Sequence, residues 1–275
     1  MGTLYNSMLA AADPTQVEGL SRFFKTGPGQ YGEGDKFLGI KVPITRSIVK
    51  ARWRETDWTE LERCIASEYH EVRLAALLTL VETFAHAKRL PVKPAMTSSA
   101  APPSCPAPTG HLLQQRCIDF YLSHTESINN WDLVDLSCYP LLGQWLLDKD
   151  RTLLYDLARS GRTIWEQRIG IVSTMTFIRH GQLDDTFAIA DILLLHPHDL
   201  IHKAVGWLLR EAGKRDRAAL ERWLQETPDQ VGGDSMPAPD RSSLPRYRQM
   251  PRTMLRYAIE RFPEELRQGY LNGTA

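Results

Sequence analysis

No stretch of the 275-residue chain approaches the roughly 18 consecutive apolar residues of a membrane-spanning helix, so no membrane partner is expected. An excess of charge of one sign is also missing. The 33 Lys and Arg balance 33 Asp and Glu, so a nucleic-acid partner has to be argued from where the bases cluster. Cysteine is sparse. Cys64, Cys105, Cys117 and Cys138 include no C-x-x-C pair and have no histidine pair at zinc-finger spacing, which argues against a structural zinc site. Such scattered thiols fit a reducing compartment. The opening Met-Gly-Thr-Leu-Tyr-Asn lacks the basic-then-apolar order of a secretory leader, and Asn6 stands where a myristoylation signal needs Ser or Thr. Period-two alternation of apolar residues is missing too, which argues against a sheet. A soluble, cytoplasmic protein without a metal is expected.

What is present is helical periodicity. Asp13-Pro14 supplies an N-cap and a first-turn proline for a helix carrying Val17, Leu20, Phe23 and Phe24. After a Gly-rich break from Thr26 to Gly34, Pro43 opens a basic helix with no acid between Lys41 and Arg54. Asp57 and Glu60 read as a capping-box-like start, and Val72, Ala75, Ala76, Leu80, Val81 and Phe84 mark a helix with a wide apolar face. Further helices are expected near 111–121, 131–145, 151–159, 164–179, 184–194, 200–214 and 217–225. Met250-Pro251-Arg252 opens a last one. Two proline-rich stretches, 88–109 and 230–249, cannot continue a helix and read as flexible insertions in a single domain spanning 1–275. Helices of this length in pairs every 35–45 residues or so predict an all-α fold, an α-solenoid with a concave binding face; an irregular bundle is the structural alternative.

The segment Ile128–Asp135, Ile-Asn-Asn-Trp-Asp-Leu-Val-Asp, stands out. Residues four apart share a helix face, so Trp131 and Asp135 project together while Leu133 and Val134 serve the core. A carboxylate beside an indole is costly in a core but suits a concave site that meets a cation. The plainer possibility is a core tryptophan next to a capping or salt-bridging aspartate. Similar faces recur at Trp165 and Arg168, at Lys203, Trp207 and Arg210, and at Arg252 and Arg256, as a groove lined by indoles and guanidinium groups would require. Lys203, Arg210, Lys214, Arg215 and Arg217 form one basic cluster, and Arg246, Arg248, Arg252 and Arg256 another.

Five segments in order carry a resemblance: Gly29–Ile40, Asn129–Asp135, Ile164–Ile169, Lys203–Glu211 and Met250–Ala258. Through them the sequence resembles the bacterial DNA alkylation repair (AlkD-like) family of HEAT-like-repeat DNA glycosylases. The resemblance implies a DNA-repair enzyme of the bacterial cytosol or nucleoid; a monomer is expected, and nothing in the chemistry calls for a metal or an organic cofactor. Such an enzyme excises N3- and N7-alkylated purines from duplex DNA, without turning the damaged nucleotide into a pocket. It further implies Asp135 as the catalytic carboxylate, Trp131 and Trp207 as the aromatic pair and Arg168 as a DNA-backbone contact. Lys203, Arg210 and Arg252 fall among the DNA-binding residues, and Tyr31, or its neighbour Gln30, near the lesion. The proline-rich stretches depart from the family's short connections but leave the matched segments intact. The competing expectation is a non-catalytic HEAT-like scaffold that binds DNA or a protein, in which Asp135 would pair with a partner's base.

Overall fold

A computed structural model describes residues 3–89, 110–228 and 243–275; most of the two expected insertions, 90–109 and 230–242, lies outside them. The described residues form helices throughout and no β-strand, with a single isolated bridge between Lys36 and Tyr69. The fold is all-α and of the helical-repeat kind. None of the described helices is long and apolar enough to cross a membrane. The chain divides into two compact units, Met1–Ser137 and Cys138–Ala275.

In the first unit the helix starts follow local chemistry. Helix α1 spans Leu4–Ala10 and α2 spans Pro14–Phe23. The Asp13 carboxylate accepts from the Thr15 amide at 3.1 Å and Pro14 occupies the first turn, a cap of about 1 kcal/mol. Just past the C-cap of α2 at Phe24, Lys25 has a φ of 57°, the left-handed turn that glycine usually supplies. Helices α3 (Val42–Arg52) and α4 (Trp58–Ile65) follow. Asp57 caps α4 through the Glu60 amide at 2.8 Å. The expected capping box is only half made, because the Glu60 carboxylate accepts from the Tyr5 amide at 2.8 Å and ties α1 to α4. Helix α5, His70–Ala87, is buried on nearly every side over its first eleven residues. A helix without a polar face must be enclosed, and α3, α4 and α6 (Gly110–Ser123) pack against it, as does the short α7 (Trp131–Asp135).

The helix expected from Trp131 to Trp145 is divided. Helix α7 stops at Asp135, and a π-helical turn, Tyr139–Gly143, opens the second unit. Pro140 has no N–H for the carbonyl of Leu136 and its ring crowds that carbonyl, while the Ser137 hydroxyl donates to the Leu133 carbonyl. The expected helix 164–179 is likewise two, α9 (Ile164–Val172) and α10 (Met175–Arg179), with Thr174 donating back to the Ile171 carbonyl at 2.7 Å between them.

The remaining helices of this unit are α8 (Thr152–Ser160), α11 (Asp184–Ile192), α12 (Asp199–Arg215), α13 (Arg217–Gln225), α14 (Arg246–Gln249), α15 (Arg252–Ala258) and α16 (Glu264–Asn272). Helix pairs α8 with α9 and α12 with α15 make its closest packing. Gly206 allows the second, since a Cβ there would lie 2.5 Å from the Tyr257 Cβ and 2.6 Å from the Met254 carbonyl oxygen. Two corrections apply near the C-terminus. Residues 246–249 were expected within a loop but are helical, anchored by Arg246, which is buried and bonded to Asp191 at 2.6 and 3.1 Å. A further helix, α16, also follows the one expected to be last.

Candidate active site

The site in the first unit is assembled from four places in the sequence, and Glu71 holds two of them together. Its buried carboxylate accepts the amides of Leu38, Gly39 and Ile40 at 2.9, 2.9 and 3.0 Å. This fixes the Phe37–Ile40 stretch of loop against the first turn of α5. Gly39 permits the fit: its φ is +86°, and a Cβ would stand 1.9 Å from the Asp13 carbonyl oxygen. The loop, the end of α2, the start of α5 and α7 then enclose a cavity of about 410 Å³. Its walls are almost wholly apolar, formed by Leu20, Phe23, Phe24, Phe37, Ile40, Val42, Pro43, Leu74, Trp131 and Leu136. Lys41, His70, Glu71, Asp132 and Asp135 complete the lining.

Trp131 and Asp135 therefore do share a face and a cavity, each half-buried, while Leu133 and Val134 are fully buried, as their spacing required. The indole stacks on Phe24 with centroids 5.4 Å apart and meets the edge of Phe23 at 5.8 Å. Phe23 is 60 % exposed, an unusual position for a large apolar ring that its own helix could have turned inward. By helical spacing alone both phenylalanines read as core. Their tandem at the end of a capped helix was the available signal.

Behind α7 lies a buried ionic cluster. The His70 ring bonds Asp35 through Nδ1 at 3.1 Å and Asp132 through Nε2 at 2.9 Å. Arg73 donates to Asp35 at 2.6 Å and to the Asn129 side-chain oxygen at 3.0 Å, and the Asn129 amide returns a bond to Asp35 at 3.0 Å. Burial by itself would favour a neutral imidazole. The hydrogen bonds to Asp132 and Asp35, with the charges of both carboxylates, outweigh it and raise the His70 pKa to about 9. Burial likewise pushes against ionised Asp35, but His70, Arg73 and Asn129 together hold its carboxyl below the usual 3.8. Two carboxylates on one ring call for both nitrogens to carry hydrogen. None of this was legible beforehand, because the partners lie at positions 35, 70, 73, 129 and 132.

The other expected residues lie elsewhere. Tyr31 sits half-buried in the loop after α2 and does not line the cavity. In the second unit, Trp207 is half-buried in an open cavity of about 400 Å³ with Met175, Ile178, Arg179, Glu211, Lys214 and Arg215. Lys203 pairs with Asp199 at 2.7 Å, and Arg210 with Glu211 at 3.3 Å and with Glu260. Arg252 is exposed and donates to the Leu271 carbonyl. Arg168, expected to face the DNA backbone, is only 5 % exposed and donates to the Leu200 carbonyl at 2.6 Å, beneath the start of α12. Trp165 is core. Among the described residues no cluster of His, Cys, Asp and Glu is arranged to hold a metal ion.

Comparison with known proteins bears on the family and the fold. The family model described as DNA alkylation repair enzyme matches residues 4–262. Among solved structures, a protein from Enterococcus faecalis described as a predicted DNA alkylation repair enzyme superposes with a TM-score of 0.61, over 92 % of this chain and 97 % of its own. At 14 % identity that likeness speaks for the fold alone. No curated protein sequence matches the chain. With the family model covering nearly the whole chain, the protein belongs to the DNA alkylation repair enzyme family, and DNA alkylation repair is its role.

Proposed function

We propose that the protein is a monofunctional DNA glycosylase that removes positively charged N3- and N7-alkylated purines from duplex DNA. The observation that carries this reading is the pairing of Asp135 with Trp131 on one apolar cavity. N-alkylation gives the purine a formal positive charge and makes it a good leaving group. As the C1′–N bond breaks, the positive charge moves onto the deoxyribose. An ionised Asp135 stabilises that charge most where it is greatest, in the transition state. It also takes the proton of the water that adds to C1′. The Trp131 face attracts a cationic base by about 0.5–2 kcal/mol, more where water is excluded, and the low-dielectric walls strengthen both effects.

Phosphate contact falls to cations of the second unit: Arg179, Lys214 and Arg215, which line the cavity with Trp207, together with Lys203, Arg210 and Arg252. A chain of zero net charge can bind DNA in this way, provided its bases gather on the binding face. Arg168, given its burial, supports α12 in this account. The test is base release from duplex DNA carrying N7-methylguanine, comparing wild type with Asp135→Asn. Wild type should release the base, while the variant should bind the same duplex and lose most of its activity. Full activity in the variant removes Asp135 from the mechanism. Salt-dependent binding with release by neither protein would leave a DNA-binding scaffold.

A further inference from the structure

The buried cluster behind α7 is the feature that the proposed chemistry does not use. Its four charged side chains, Asp35, His70, Arg73 and Asp132, are between 2 and 7 % exposed. Buried ion clusters of this kind add little net stability, and apolar residues of similar volume often do as well or better. What such a cluster does supply is fixed geometry. Helix α7 needs it, because five residues make barely more than one turn, far below the length at which a helix holds itself. Its local ties include the Asn130 cap on the Trp131 amide at 2.9 Å and the Leu133 amide donating to Asp132 at 2.9 Å. A long-range hydrogen bond from the turn itself runs from Asp132 to His70 at 2.9 Å. The His70 ring in turn packs against both Phe37 and Phe24, with centroids 4.7 and 4.8 Å away, and those two rings stack on each other at 5.2 Å. Phe24 is the ring on which Trp131 stacks. Displacing His70 would thus release both the backbone turn that carries Asp135 and the aromatic stack that seats Trp131.

We propose that His70, bridging Asp35 and Asp132, is a positioning residue of the base-release reaction: it fixes the α7 turn so that Asp135 and Trp131 are held together at the cavity. The inference rests on the glycosylase reading for its kinetic consequence, but not for its structural one. His70 touches neither base nor sugar in this account and acts only through Asp132 and Phe24. A general contribution to stability would lower the melting temperature and leave the folded enzyme's rate constant alone. A positioning role would change that rate constant.

The test uses the full chain and two variants, His70→Leu and Asp132→Asn. The leucine fills similar space and deletes both bonds. The asparagine keeps one bond to a neutral imidazole, its amide donating to Nε2 while Nδ1 donates to Asp35. Hydrogen–deuterium exchange over residues 129–136 is measured first. It should speed at least tenfold in His70→Leu, with the protection of α12 unchanged, and less in Asp132→Asn. Single-turnover release of N7-methylguanine at saturating protein is measured second. The rate constant should fall at least tenfold in His70→Leu, by less in Asp132→Asn, with duplex affinity within threefold of wild type. Unchanged exchange over 129–136 overturns the proposal whether or not the protein is active. Faster exchange with an unchanged rate constant overturns the role in the reaction. Wild-type protein that releases no base defeats the glycosylase reading and the kinetic half with it, and the exchange comparison still decides whether His70 holds the turn. Should His70→Leu fail to fold, Asp132→Asn carries both measurements with the same two criteria.

Discussion

Replacing Glu71 by Gln should destabilise the first unit by about 3–5 kcal/mol, although the change alters almost no volume. The side chain is 2 % exposed and its carboxylate receives three backbone amides, two on Oε1 and one on Oε2. Hydrogen bonds to a charged group contribute about 1.5–3 kcal/mol net, and those between neutral groups about 0.5–1.5. A glutamine side chain in its best orientation keeps its oxygen on the Gly39 and Ile40 amides, so those two bonds lose about 1 kcal/mol each. Its NH2 then faces the Leu38 amide, donor against donor, and a buried unpaired amide costs about a further 1–3 kcal/mol. The assay is equilibrium unfolding in urea followed by tryptophan fluorescence, which sees Trp131 against Phe24. A variant within about 1 kcal/mol of wild type would refute the argument that the three amides are held by charge. Glu71→Ala removes every acceptor and should cost more. If the order is reversed, the donor clash rather than the lost charge controls the loop.

Phe23→Ala should leave stability within about 1 kcal/mol of wild type, because the ring is mostly exposed. It should nonetheless slow base release roughly twofold to tenfold if its edge contact to Trp131 contributes the usual 0.5–1.5 kcal/mol or so; an unchanged rate constant would remove Phe23 from the site. Gly39→Ala should cost more than about 2 kcal/mol, from a left-handed backbone and from a Cβ driven into the Asp13 carbonyl, and a urea midpoint equal to wild type would contradict the loop geometry. The first unit should also weaken with alkali. The His70 pKa is raised from 6.5 to about 9, so its contribution is complete below pH 6.5 or so and is lost as the pH climbs through 9, on the order of 3 kcal/mol at most. Urea midpoints at pH 6 and pH 9.5 should diverge in wild type and much less in His70→Leu, and equal pH dependence in the two proteins would remove His70 as the source.

The helices were legible where their signals are local. Asp13-Pro14 and Asp57 cap where their sequence says, and Arg217–Gln225 has the bounds expected of it. The misses share a cause. Apolar periodicity runs straight through Leu136–Ser137 and Ser173–Thr174, so the breaks there are visible only once Pro140 and the back-bonding hydroxyls are counted. Helix α16 went unseen because it buries one residue, Tyr270, and so lacks an apolar stripe. In the site, Trp131 and Asp135 were readable because four residues along one turn need no knowledge of the fold. Phe23 was not, since a ring at helical spacing reads as core until the opposite wall is known. The roles of His70 and Glu71 depend on residues more than thirty positions away, which no local pattern encodes.

Three carboxylates line the cavity, and under the proposed glycosylase reading their surroundings decide which of them meets a cationic base. Glu71 is committed to the backbone of the loop, and moving it toward a ligand would strand three amides. Asp132 is buried against the His70 imidazole and keeps its other oxygen on the Leu133 amide, so its charge is already balanced by a neighbour. A cation approaching either would have to displace hydrogen bonds that hold the fold of the site. Asp135 differs in position. It lies one turn beyond Trp131 on the same face, beside apolar walls, and is half-buried where the other two are closed off. Water can reach it, and a cation on the Trp131 face comes within its field. If that division holds, Asp132→Asn should act mainly through the exchange rate of α7, and Asp135→Asn should abolish base release with α7 as protected as in wild type. Loss of protection in Asp135→Asn would mean that the two aspartates share one structural task.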